Sequence, residues 1–239
     1  MRRLFKFCFI YSVFFSQFTL IEAATETIGV FCSADDKVSL SFKKMTFELG
    51  QSIAQKGYGL VTGGSCTGLM KEVVDGYQGE NHPASHVQGV LPHALRGLPI
   101  LHPGIGAKNF TWTETLHQRL ATFQDKCDVI LVLPGGFGTL HELMDFLVHT
   151  QFGLLKKKII LFNMENFWDP LLRQFQEMVK KNTVTKKHLD QLEVISSLEQ
   201  LWEKIEATQN LHEGLEDSYW ENKGEEASTI LESLWLPKV

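Results

Sequence analysis

The residues best suited to chemistry lie in one run, Pro134-Gly135-Gly136-Phe137-Gly138-Thr139-Leu140-His141-Glu142. Gly135, Gly136 and Gly138 let the backbone approach a ligand closely and take turns closed to other residues. A helix beginning just beyond them presents unpaired N–H groups and the positive end of its dipole. Together these features make an anion site, most often for phosphate. Thr139 either caps that helix or donates its hydroxyl to the same phosphate. The run is neither the Gly-x-Gly-x-x-Gly dinucleotide pattern nor a Walker A loop, since no Lys-Ser/Thr follows it. Glu142 reads either as a capping-box glutamate on the first turn of the helix or as a carboxylate directed into the pocket above the phosphate.

A second glycine turn, Thr62-Gly63-Gly64-Ser65-Cys66-Thr67-Gly68, repeats the strand–glycine–helix logic. It is either a plain turn or the opposite wall of the pocket, with Gly63, Gly64 and Ser65 touching the substrate. Arg119 stands on the helix before the most apolar strand. It is either a solvated helix residue or a planar cationic fork that reaches phosphate or a ribose hydroxyl. Cys32, Cys66 and Cys127 show no metal-ligand spacing, and buried free thiols are their ordinary role. No metal site and no cofactor is expected.

The elements that must position these groups alternate between strand and helix. Strands are expected at Thr27–Cys32, Tyr58–Val61, Val87–Leu91, Asp128–Leu133 and Ile159–Phe162. Helices are expected at Phe42–Gln55, Leu69–Tyr77, Thr113–Phe123, Leu140–Phe152, Pro170–Lys180 and Leu198–Ile205. Gly57 is placed to stop the first helix. The stretch from His93 to Phe110 shows no regular period. Val129 to Leu133 is an unbroken apolar run, which suits a parallel strand covered on both faces. The alternation predicts an α/β fold: a Rossmann-like open sheet of mainly parallel strands with helices on both faces. In such sheets ligands bind beyond the carboxyl ends of the strands. That rule selects Ser33–Lys37, Thr62–Thr67, the turn after Pro92 and Pro134–Thr139.

Both ends of the chain differ from this body. Arg2, Arg3 and Lys6 precede an apolar run from Phe7 to Leu20, followed by small residues at Ala23 and Ala24. This is the pattern of a secretory signal peptide over residues 1–23. Cleavage would leave a protein working outside the cytoplasm, periplasmic or secreted, without stable membrane association; otherwise the chain is cytoplasmic. A catalytic domain is expected over residues 24–207 and an acidic tail over 208–239. Within that tail, Glu225–Leu234 could form a short helix that docks through Ile230, Leu231 and Leu234. The net charge of -5 offers no basic field for nucleic acid.

As a set, these motifs resemble the Lonely Guy (LOG) family, the cytokinin riboside 5′-monophosphate phosphoribohydrolases formerly called lysine-decarboxylase-like. The family mark, Pro-Gly-Gly-x-Gly-Thr-x-x-Glu, is met in full by Pro134 to Glu142. The resemblance extends over about Ile28 to Glu206. It includes Val30-Phe31-Cys32, Gly63-Gly64 with Gly68-Leu69-Met70, Gly89-Val90 with Pro92, His117-x-Arg119, Gln151-x-Gly153 and Trp168-Asp169-Pro170. It implies that Glu142 and Arg119 are the catalytic pair and that Gly135, Gly136, Gly138 and Thr139 hold the substrate phosphate. It also implies a nucleotide substrate, cleavage of its N-glycosidic bond, and a homodimer in which a neighbouring subunit helps to close the site. The chain offers no evident lysine setting for pyridoxal phosphate, so the older decarboxylase label does not suit its best motif. It departs from the family pattern at Leu120, where a lysine is usual, at Ser65 and Lys71, and in the first loop, Cys32-Ser33-Ala34-Asp35. Asp35 and Asp36 put negative charge beside an expected phosphate. A catalytically weak nucleotide-binding sensor or exported effector is the alternative these departures suggest.

Overall fold

Short apolar, largely β-branched segments form one seven-stranded sheet in the computed structural model, which describes residues 26–79 and 86–212. In chain order the strands are β1 (Thr27–Phe31), β2 (Gly59–Thr62), β3 (Val87–Pro92), β4 (Phe110–Thr113), β5 (Val129–Val132), β6 (Lys158–Phe162) and β7 (Leu192–Ile195). They lie in the order β4-β3-β2-β1-β5-β6-β7, and every pairing is parallel. The central strands are buried on both faces, which is why Val129 to Val132 carries no polar alternation. The leader at 1–23, the acidic tail beyond His212 and the docking segment Glu225–Leu234 lie outside the described residues. Among the described residues no helix is long and apolar enough to cross a membrane.

The helices are α1 (Leu40–Gln55), α2 (Gly68–Gly79), α3 (Leu116–Lys126), α4 (Phe137–Gln151), α5 (Asp169–Lys180), α6 (Lys186–Leu189) and α7 (Leu198–His212). Leu49, Ile53, Leu69, Val73, Leu201 and Ile205 put α1, α2 and α7 on one face of the sheet. Phe123, Leu143, Phe146 and Phe175 put α3, α4 and α5 on the other. There Phe31 of β1 meets Phe123 and Phe146 edge-on, with ring centroids 4.8 and 5.4 Å away. The backbones of α1 and α2 cross closely at two glycines. A Cβ at Gly50 would come within 2.2 Å of the Val73 carbonyl oxygen, and one at Gly76 within 2.1 Å of that of Phe47. Gly57, at φ 79°, stops α1 as expected.

Five elements differ from the sequence expectation. Phe110 to Thr113 is an edge strand, and the following helix starts only at Leu116, capped by Thr115, whose side chain accepts Gln118 N–H. Helix α4 begins at Phe137, before the expected Leu140. Strand β7 and the short α6 were not expected as elements.

The chain builds β1 to β4 outward in one direction, then returns to lay β5 beside β1. At such a reversal the loops after the two central strands diverge and leave a crevice beyond their carboxyl ends. The glycine turn Leu133 to Gly136 leaves β5 at that point, facing the Cys32-to-Ser39 loop that leaves β1.

Candidate functional site

The crevice is an open cleft of about 630 Å³, in the range that holds a small ligand. The polar walls come from the segments that follow strands. Ser33 and Asp35 come from the loop after β1, Gly63, Ser65 and Thr67 from that after β2, and Gly136 and Gly138 from the turn after β5 and the first turn of α4. An apolar wall of Leu91, Leu95, Leu98, Ile100 and Leu116 comes from β3, the irregular segment behind it and α3. A smaller apolar hollow between α4, α5 and α6, lined by Met144, Leu147, Phe175 and Met178, lacks the convergent charged groups of the cleft.

The floor of the cleft is an ion pair. Arg119 of α3 reaches Glu142 of α4, with Nη1 donating to Oε1 at 2.5 Å. Arg119 Nε donates to the Val90 carbonyl at 2.9 Å, and the guanidinium lies 5.0 Å from the centre of the Phe123 ring. A Cβ at Gly63 would stand 3.1 Å from Arg119 Nη2 and 2.8 Å from the Met70 sulfur, so glycine there leaves room for the guanidinium. Burial pushes the Glu142 carboxyl above the usual glutamate range, although the charge and hydrogen bond of Arg119 pull it down. Glu142 Oε2 has no hydrogen-bond partner among the described residues and is available to water or a ligand. Buried Cys32 lies beside the pair; burial, and then the charge of Glu142, push its thiol well up, so it is held as the neutral thiol.

The start of α4 differs in one respect from the capping alternatives. Gly136 is the N-cap and makes no side-chain cap bond, so Thr139 lies inside the first turn and caps nothing. Glu142 lies beyond that turn and bonds Arg119, which excludes the capping box. Thr139 is almost fully buried, its hydroxyl makes no hydrogen bond among the described residues, and the residue lines the cleft. The first N–H groups of α4 have no intrahelical acceptor, as at any helix start, and Gly136 and Gly138 beside them line the cleft.

Of the expected site residues, the fold brings Glu142, Arg119, Gly136, Gly138, Thr139, Gly63 and Ser65 to one cleft. Two stand behind its surface. A Cβ at Gly135 would run into the Thr139 side chain, its hydroxyl oxygen 2.1 Å away. Gly64, at φ 71°, packs against Phe110, Leu91 and Gly89 and shapes the turn. Ser65 Oγ is hydrogen-bonded to the Thr67 hydroxyl at 2.9 Å. The departures from the family pattern also find places. Leu120 is buried and does not line the cleft. Asp36 accepts the Gly68 N–H at 2.8 Å and so serves the start of α2, whereas Asp35 faces the cleft.

Sequence reasoning did not find the apolar wall, because His93 to Phe110 has no period that assigns its side chains to a face. What holds this segment is tertiary. His102 N–H bonds the Gly64 carbonyl, its Nε2 meets Asp75 Oδ1 at 3.0 Å, and its Nδ1 accepts the Gly104 N–H. His102, a histidine amid apolar residues and turns, was the signal in the sequence that could have pointed to it.

Similar proteins were found by sequence and by structure. The family described as "Possible lysine decarboxylase" matches residues 70–205. A cytokinin riboside 5′-monophosphate phosphoribohydrolase of Arabidopsis thaliana is 30% identical over 171 residues, covering 71% of this chain and 78% of the relative. Another from the same plant is 30% identical over 158 residues, covering 66% and 70%. Among solved structures, the molybdenum cofactor binding protein from the phototrophic bacterium Rippkaea orientalis superimposes with a TM-score of 0.59 at 23% identity, covering 78% of this chain and 98% of that one. At that identity the likeness extends to the fold.

Proposed function

The chain belongs to the Lonely Guy family, described as "Possible lysine decarboxylase", and from that premise we propose that it hydrolyses the N-glycosidic bond of a nucleoside 5′-monophosphate, of cytokinin or purine type, releasing the free base and ribose 5-phosphate. The observation that carries the proposal is the placing of the Arg119–Glu142 pair in the same cleft as the uncapped start of α4.

Each part has a chemical task. Gly136, Gly138 and the free Thr139 hydroxyl receive the 5′-phosphate at the positive end of α4. Anchoring the phosphate fixes where the ribose falls and removes the entropy cost of finding that position. Cleavage breaks the C1′–N bond, the base leaves with the electron pair and takes a proton, and water forms the new C1′–O bond. The transition state carries positive charge on the ribosyl group, as in glycoside hydrolysis. The ionised Glu142 stabilises that charge and, through its unpartnered Oε2, takes a proton from the attacking water. Arg119 stays charged throughout and is a poor proton donor. Its task is to hold Glu142 in place and ionised against burial. The cleft is closed in a homodimer, whose second subunit covers its rim.

A second reading, a nucleotide-binding protein without appreciable turnover, is favoured by Arg119 being already committed to Glu142 and Val90. The two separate in one experiment. Purified protein is titrated calorimetrically with adenosine monophosphate and isopentenyladenosine monophosphate, and the same mixtures are assayed for free base. Binding with release of base supports the hydrolase. Binding without release supports the second reading, and no binding contradicts both.

A further inference from the structure

Asp35 is the charged group lining the cleft that the proposed reaction leaves without a task. Its loop is fixed on several sides. Ser33 Oγ accepts the Asp35 N–H at 3.1 Å, Asp35 Oδ1 accepts the Lys37 N–H at 2.8 Å, and the Thr67 hydroxyl donates to the Ala34 carbonyl at 2.8 Å. No cation pairs with Asp35 among the described residues, and Arg119, the one cation lining the cleft, is taken by Glu142. A carboxylate held in this way, with one oxygen open, calls for hydrogen-bond donors from the ligand.

The position of the loop selects which part of the ligand supplies them. Ser33 N–H bonds the Pro134 carbonyl at 3.1 Å, so the loop abuts the glycine turn that leads into α4. The apolar wall rises elsewhere, from β3, the segment behind it and α3. Phosphate is a poor neighbour for a carboxylate, and a base finds its cover at the apolar wall. Between a 5′-phosphate and a base lies the ribose, whose 2′- and 3′-hydroxyls are two adjacent donors.

We infer that Asp35 receives the ribose 2′- and 3′-hydroxyls and makes this site selective for ribonucleotides over deoxyribonucleotides. The inference rests on the nucleotide reading of the cleft. It goes beyond it by assigning a specificity-determining residue that this chain carries in a loop departing from the family pattern.

The test gives the full protein adenosine 5′-monophosphate and its 2′-deoxy and 3′-deoxy analogues, and measures adenine release for wild type, Asp35→Ala and Asp35→Asn. The readout is the ratio of kcat/KM for the ribonucleotide to that for each analogue. Differences in the intrinsic reactivity of the sugars cancel when the ratio in the variant is divided by that in wild type. Asp35→Ala is expected to lower the ratio about 10- to 100-fold, the loss of a hydrogen bond to a charged group. Asp35→Asn, which keeps an acceptor for Lys37 N–H, is expected to fall between. An unchanged ratio, with all three substrates slowed alike, overturns the inference. If wild type releases no adenine from any substrate, the hydrolase reading fails, and calorimetric affinities for the same nucleotides decide Asp35 independently. A preference for the ribonucleotide that Asp35→Ala removes supports the inference, while equal or absent binding in wild type overturns it.

Discussion

Glu142 illustrates how one side chain acquires a role from its surroundings. Its spacing from Thr139 fits a capping box, and only the fold shows that it meets Arg119 instead. Burial raises its carboxyl above the usual glutamate value of 4.5, with Arg119 opposing the shift. For a carboxylate that works ionised, the sign follows directly. Activity is full above the raised value and falls as the pH drops through it. The acid limb of kcat/KM against pH is therefore expected above pH 4.5 for free enzyme. An acid limb at or below the ordinary glutamate value would contradict the assignment. Arg119→Lys is expected to move that limb further up, because a flexible ammonium holds the carboxylate less well than the guanidinium fork.

At the scale of elements, the sequence was most legible where burial is complete. Val129 to Val132 and the glycine turn behind it were readable because a strand covered on both faces leaves no polar interruption. Edge strands were not. Phe110-Thr-Trp-Thr is half-exposed over its first three residues, and Leu192-Glu-Val-Ile exposes its middle, so neither carries an unbroken apolar run. Gly138 hid the first turn of α4, since glycine reads as loop and its helical place depends on the turn before it. The candidate site was legible as two glycine turns plus Arg119 and Glu142. Its apolar wall was not, because His102, Asp75 and Gly64 hold that segment through contacts distant in sequence. The α1–α2 crossing supplies a test at this scale. Gly50→Ala forces a methyl to within 2.2 Å of backbone. It is expected to cost about 1–3 kcal/mol from overpacking, read as a lower denaturant midpoint with unchanged slope. A variant as stable as wild type would mean that the two helices have slack at this contact.

At the scale of the whole molecule, the order β4-β3-β2-β1-β5-β6-β7 brings the loops after β1, β2, β3 and β5 to one cleft. The same arrangement leaves Phe137, 92% exposed, together with Leu116 and Leu98 in apolar display around the cleft. In the proposed homodimer the second subunit would cover that rim. Sedimentation of wild type is expected to give a dimer, and Phe137→Asp a monomer with reduced turnover; a dimer unaffected by Phe137→Asp would move the interface elsewhere. The proposed activity is hydrolysis of a nucleoside 5′-monophosphate to free base and ribose 5-phosphate. It is tested most directly by following isopentenyladenosine monophosphate with wild type and Glu142→Gln, and quantifying both free base and ribose 5-phosphate. The two products should appear in equal amounts with wild type, at a rate at least about 100-fold above that of Glu142→Gln. Absence of ribose 5-phosphate, or equal rates in the two proteins, would contradict the account.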